Sequence, residues 1–81
     1  MQIPILLPEL DTAPVILSCW FADPGETVFE GDRLVELLVD GATFDVAAPA
    51  TGKLVERSAY PRDPLHPGQV LGIVEAADES P

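Results

Sequence analysis

An all-β sandwich or barrel built from two similar halves is the fold that the sequence predicts, on three observations. No stretch of useful length carries the i, i+3, i+4 apolar spacing of a helix. Turn-forming clusters of Pro, Gly and Asp recur about every 8–12 residues, the spacing of short strands in an all-β domain. Sliding the chain by 37 positions sets Leu17 on Leu54, Ala22 on Ala59, Pro24 on Pro61, Val28 on Leu65, Gly31 on Gly68 and Leu34 on Leu71. One unit of strand, turn, glycine and strand therefore occurs twice. Two halves that cannot each cover their own apolar face are expected to pack as a pseudo-two-fold sandwich.

Taken in order, residues 3–7 form a short apolar run closed by Pro8, and Pro4 marks it as a strand at an edge or a chain end. Residues 9–14 read as a loop. Residues 15–22 (Val-Ile-Leu-Ser-Cys-Trp-Phe-Ala) are a strand apolar on both faces, stopped by the turn Asp23-Pro24-Gly25-Glu26. Thr27-Val28-Phe29 is a brief extended piece before the turn Glu30-Gly31-Asp32.

Residues 34–46 are the most informative stretch. Two apolar runs flank Asp40-Gly41, a strong signal for a β-hairpin, because a type I′ turn needs positive φ at both central residues. Aspartate tolerates that conformation and glycine has no Cβ to forbid it. Past the tip, alternation sets Phe44 and Val46 on one face. Pro49-Ala50-Thr51-Gly52 makes another turn, residues 53–60 are strand-like, and Pro61-Arg62-Asp63-Pro64 ends them. The last strand is expected at 70–75, entered through His66-Pro67-Gly68-Gln69. The resulting division is one domain over 1–76 and a flexible acidic tail over 77–81.

Composition narrows the function. With 47% hydrophobic residues, nine prolines and six glycines in 81 positions, this is the chain of a folded module too small for a large enclosed active site. The formal charge is −10, and the basic residues are only Arg33, Lys53, Arg57 and Arg62, so nucleic acid and anionic membranes would be repelled. A basic protein surface is the natural complement. The single Cys19 has no disulfide partner and lies in an apolar run, which fits a structural thiol in a reducing compartment. The first residues show neither a basic leader nor a long apolar core, so the expected location is cytoplasmic.

The fragments Leu7-Pro8-Glu9-Leu10, Asp23-Pro24-Gly25-Glu26-Thr27-Val28, Glu30-Gly31-Asp32, Leu34-Val35-Glu36, Val46-Ala47-Ala48-Pro49-Ala50-Thr51-Gly52 and Pro67-Gly68-Gln69-Val70-Leu71 follow one another at a characteristic spacing. In this order the chain resembles the biotinyl/lipoyl attachment family over residues 2–75. The resemblance implies a flattened barrel-sandwich of two four-stranded antiparallel sheets with pseudo-two-fold symmetry, the single-hybrid or lipoyl-like fold. It also implies a modified residue at a hairpin tip far from both chain ends. In that family the tip looks like Asp-Lys-Ala, and the lysine amine carries lipoate in an amide bond. The arm so formed moves acyl groups and reducing equivalents in 2-oxo-acid dehydrogenase complexes.

Here the aligned tip is Asp40, Gly41 and Ala42, without a gap. Glycine offers no nucleophile, so no lipoate or biotin is expected at Gly41, and the Met-Lys-Met tip of biotin-accepting relatives is equally lacking. Lys53 is the one lysine of the chain and follows the Thr51-Gly52 turn, where a solvated strand-end residue is the expected reading. Gly52-Lys53 does not make a phosphate loop, which would need glycine at 47 and Ser or Thr at 54, where Ala47 and Leu54 stand.

Other chemistry-bearing residues are isolated. His66, the one histidine, lies in a turn without a Cys/His/carboxylate cluster around it in sequence, so no metal site is expected. Ser18, Ser58 and Thr51 have no base at a motif spacing, so no catalytic residues are expected. Trp20 and Phe21 are neighbours in a strand and point to opposite faces, one to the core and one outward. The resemblance matches Trp20 with a position that is commonly a hydrophobic surface residue in lipoyl domains. Glu30, Glu36, Asp40 and Asp45 make the hairpin acidic, and partner enzymes of the family read acidic residues near the tip. The interaction candidates are accordingly Trp20, Glu36, Asp40 and Asp45.

Three functions follow in order of preference. The first is a non-catalytic structural or docking module related to 2-oxo-acid dehydrogenase complex components, with a protein partner such as an enzyme of acyl transfer or carboxylation. The second is a carrier domain of a dihydrolipoamide acyltransferase whose lysine is replaced here, or which is modified at Lys53. The third is a cofactor-free assembly module of a transport adaptor, whose relatives are typically split by a long helical insertion at the hairpin that this sequence lacks. An independent enzyme ranks below all three.

Overall fold

The computed structural model describes residues 1–9 and 14–76. Most of the loop expected at 9–14 and the whole of the tail expected at 77–81 lie outside these residues. Eight strands follow in order: β1 (Gln2–Leu6), β2 (Val15–Trp20), β3 (Thr27–Val28), β4 (Arg33–Val39), β5 (Ala42–Ala47), β6 (Gly52–Arg57), β7 (Pro64–Leu65) and β8 (Val70–Ala76). They form two four-stranded sheets of order β1-β8-β6-β3 and β5-β4-β2-β7, antiparallel throughout. The two sheets make the flattened sandwich that the resemblance implied.

The 37-residue repeat is carried into the coordinates. The bounds of β2, β3 and β4 recur 37 positions later as β6, β7 and β8. The bulge between Leu17 and Cys19 against β4 recurs between Leu54 and Glu56 against β8. Turn hydrogen bonds repeat too: the Phe29 amide donates to Asp32 Oδ2 at 3.0 Å, and the His66 amide to Gln69 Oε1 at 2.9 Å. The Asp23 and Tyr60 amides are likewise met by Glu26 and Asp63 carboxylates at 2.9 and 3.0 Å. Each carboxylate or amide oxygen closes a tight turn that would otherwise leave a backbone donor unpaired.

The core lies between the sheets and is doubled in the same way. Leu17 and Leu54, Leu34 and Leu71, Leu37 and Val74, Val28 and Leu65, and Ala22 and Ala59 are all buried, and among the described residues no polar side chain is buried with them. Each large aliphatic side chain so covered contributes about 1.5–3 kcal/mol. Neither half could cover these residues alone, which is why the repeat reads as one domain.

Three expectations need correction. Strand β7 is not among the expected elements: Pro64 closes the expected turn at 61–64 and Leu65 falls between two turns, because two residues carry no periodicity. The strand expected to continue to Tyr60 ends at Arg57, where the chain leaves the sheet. The strand expected over 15–22 ends at Trp20, and of its two apolar faces it buries one: Val15 and Leu17 point inward, while Ile16 is 42% exposed.

Candidate functional site

Asp40 and Gly41 connect β4 to β5 with φ of 49° and 80°, the signs that a type I′ turn requires at both positions. The turn is the hairpin tip, and Asp40, Gly41 and Ala42 are exposed. A Cβ built on Gly41 meets nothing within 4 Å, so a side chain there would extend into open space. Glycine answers a backbone demand here rather than a packing one. The pairing of Val15 with both Val39 and Leu65 sets this end of the hairpin level with β7, with β2 between them. In the other sheet the equivalent pairing of Gly52 with Val28 and Ala76 sets the end of β8 level with β3, with β6 between them.

Below the tip, register sorts the side chains. Cys19, Glu36 and Asp45 are successive cross-strand partners on the outer face of the β5-β4-β2 sheet. Glu36 is half-buried, with the Cys19 thiol 3.9 Å from its Oε2. Asp45 is paired with Arg33 at 3.4 Å, and the same guanidinium lies over the Phe21 ring at 5.0 Å from its centroid. An exposed ion pair of this kind contributes at most about 1 kcal/mol, so it orients the hairpin base more than it stabilises it.

The four interaction candidates are therefore not one cluster. Glu36 and Asp45 come together, Asp40 sits alone at the tip, and Trp20 lies on the inner side of its sheet opposite the buried Val35. Trp20 is half-buried against the core and its Nε1–H donates to the Ala59 carbonyl at 2.9 Å. Phe21 is the outward member of the aromatic pair, 43% exposed. The sequence sets one of Trp20 and Phe21 outward but shows neither the stacking of Arg33 on Phe21 nor the outward Ile16–Leu38 cross-strand pair. The apolar character of Ile16 and Leu38 signalled a strand, but not which side of it would be covered.

The remaining ionisable residues are dispersed. Lys53 is exposed on β6 between Thr27 and Glu75, in the other sheet from the tip. His66 is exposed in its turn, and among the described residues no group of three His, Cys, Asp or Glu is close enough to hold a metal ion. An open groove at the base of β4 is lined by Phe21, Glu26, Asp32 and Arg33 among others. Its two carboxylates are already engaged by the Asp23 and Phe29 amides, so they serve the turns. No described helix is long and apolar enough to cross a membrane.

Comparison with known proteins places this geometry. Residues 8–74 match the model of the biotin/lipoyl family described as biotin-requiring enzyme. The dihydrolipoyllysine-residue succinyltransferase component of the 2-oxoglutarate dehydrogenase complex of Bartonella vinsonii subsp. berkhoffii is 41% identical over 61 residues, covering 75% of this chain and 15% of that protein. The dihydrolipoyllysine-residue acetyltransferase component of the pyruvate dehydrogenase complex of Corynebacterium glutamicum is 28% identical over 83 aligned positions, covering 100% of this chain and 12% of that protein. The chain thus spans a small fraction of the length of these relatives. Among solved structures, the lipoyl domain of the 2-oxoglutarate dehydrogenase complex from Azotobacter vinelandii superposes with a TM-score of 0.69 at 24% identity, covering 90% of this chain and 99% of that one. That likeness shows the fold.

Proposed function

Since this chain belongs to the biotin/lipoyl attachment family, we propose that it is a lipoyl-like domain with a vacant attachment point, acting as a non-catalytic docking or structural module. The observation that carries the reading is Gly41, exposed at the hairpin tip between Asp40 and Ala42, where the family pattern has its lysine. A hydrogen in place of an aminobutyl side chain leaves a ligase nothing to acylate. The relatives are acyltransferase components of 2-oxo-acid dehydrogenase complexes. A protein partner from such a complex, meeting the acidic hairpin with a basic surface, is the corresponding occupant.

Intact-mass measurement tests this directly. The protein is incubated with a lipoate ligase, ATP and lipoate, beside the variant Gly41→Lys. The expected result is no mass gain for the parent protein and a gain of one lipoyl group for the variant. A lipoyl group on the parent protein, which would have to sit on Lys53, overturns the reading in favour of a working carrier domain.

A further inference from the structure

The two halves differ at their free edges. In an antiparallel pair, alternate residues turn their N–H and C=O groups toward the neighbouring strand and the others turn theirs away. Strand β1 is the edge of one sheet and β5 the edge of the other. The Leu7 amide donates to the Gln69 carbonyl at 2.9 Å, and the Ala48 amide to the Asp32 carbonyl at 2.7 Å, so Leu7 and Ala48 are equivalent points in the two halves. Counting back from them sets Pro4 on Asp45, Ile3 on Phe44 and Gln2 on Thr43.

On β1 the outward backbone positions are Gln2, Pro4 and Leu6, and the middle one is a proline, which has no N–H and whose ring obstructs a further strand. On β5 the tight turn makes Val39 and Ala42 a hydrogen-bonded pair, so Phe44 and Val46 also bond inward to β4, and Thr43, Asp45 and Ala47 direct their backbone groups to solvent. No proline guards this edge. Beside it Phe44, opposite the buried Leu37, lies on the inner face yet is 48% exposed. On the outer face the edge carries Asp45, ion-paired with Arg33 at 3.4 Å, and behind it on β4 Glu36, for which the structure shows no cationic partner among the described residues.

We propose that the free edge of β5 is a strand-addition site for an extended segment of a partner protein in which basic and apolar residues alternate. Its backbone would pair with Thr43, Asp45 and Ala47. Successive side chains would fall alternately beside Phe44 within the sandwich and beside Asp45 outside it, where a long basic side chain can reach across toward Glu36 on β4. A second copy of this chain is disfavoured, since it would bring two molecules of formal charge −10 together through their acidic hairpins. The inference rests on the docking role proposed above and specifies how the partner is held.

The test uses the whole protein and a seven-residue peptide of alternating lysine and valine, with an alternating glutamate and valine peptide as control. Amide hydrogen exchange is followed by NMR at low ionic strength. At saturating basic peptide, exchange at Thr43, Asp45 and Ala47 is expected to slow by about tenfold or more, with Gln2 on β1 unaffected. Methylating the peptide nitrogens of the lysines or of the valines should abolish the effect in one series and spare it in the other, since only alternate amides face the paired edge. Asp45→Pro should also abolish it, and β1 with its Pro4 shows that the equivalent position accepts proline. Asp45→Asn, which keeps the N–H, should only weaken binding.

No slowing with the basic peptide, equal loss in both methylated series, slowing confined to the tip or to β1, or a matching effect of the acidic peptide would each overturn the proposal. The methylated peptides decide the matter even if Asp45→Pro fails to fold. An enzyme partner that still binds a folded Asp45→Pro variant would leave the docking role standing while removing the edge as its means. A lipoylated parent protein would remove the vacant-tip reading without bearing on strand addition.

Discussion

The Glu56 carbonyl and the indole of Trp20 together fill the space that a side chain at Gly72 would need. A Cβ built on Gly72 would lie 3.1 Å from Trp20 Cη2 and 2.5 Å from the Glu56 carbonyl oxygen. In the other half the equivalent residue is Val35, fully buried. At this position the two halves differ, glycine giving room to the β6 backbone and to an aromatic ring whose Nε1–H is satisfied by Ala59 at 2.9 Å.

Gly72→Ala should accordingly displace the ring and lower stability by about 1–3 kcal/mol, the range for overpacking a close-packed core. Trp20 is the one tryptophan of the chain, so its emission should move to longer wavelength in the variant. Fluorescence spectra and urea denaturation would check both, and an unchanged spectrum with unchanged stability would contradict the contact.

Gly25 and Arg62 are equivalent turn residues with φ of 96° and 74°. An L side chain in this region carries about 1–2 kcal/mol of strain, partly offset by the extra unfolded-state freedom of glycine. Arg62→Gly is therefore expected to raise stability by about 0.5 kcal/mol, and Gly25→Ala to lower it by about 1 kcal/mol. Paired chemical denaturation curves would show opposite displacements of the midpoint.

Leu17 and Leu54 are 1% and 0% exposed at equivalent places in the core. Truncating either to alanine should cost about 2–5 kcal/mol. Because both sit at the same bulge of matching strands, their losses should agree within about 1 kcal/mol, each site having similar freedom to collapse. Calorimetric unfolding of the two variants measures the comparison.

Gly41→Ala isolates the backbone requirement of the tip from any chemistry placed there. With φ at 80° and open space around it, the variant should lose about 1 kcal/mol through strain alone. The same loss is expected in Gly41→Lys, where it would accompany the gain of a modifiable amine. A loss well above this would mean that the tip makes contacts it does not show.

Much of this was open to reading along the chain. Asp40-Gly41 predicts its turn type from φ preferences alone, and the φ values agree. The 37-residue repeat predicts the equivalence of Leu17 with Leu54 and of Gly31 with Gly68, since like residues at like spacing must meet like surroundings. Strand β7 was hidden because two residues cannot display alternation, although the repeat, aligning Val28 with Leu65, already pointed to it. Phe44 and Val46 were set on one face, and they share it, but their different exposure depends on how far the opposite sheet extends. The contact of Trp20 with Gly72 joins residues far apart in sequence and has no local signal.

From the order of residues alone come the doubled all-β plan, the type I′ tip and the lack of an amine at that tip. These follow from dihedral preference, periodicity and side-chain chemistry, each confined to a few neighbouring positions. The folded arrangement alone establishes that Ile16 and Leu38 face outward, that Glu36 and Asp45 are partners while Trp20 lies on the other side, and that β5 is an open edge whereas β1 carries Pro4. Such properties depend on which strands lie side by side and where a sheet stops, and alternation within one strand carries no information about its neighbours.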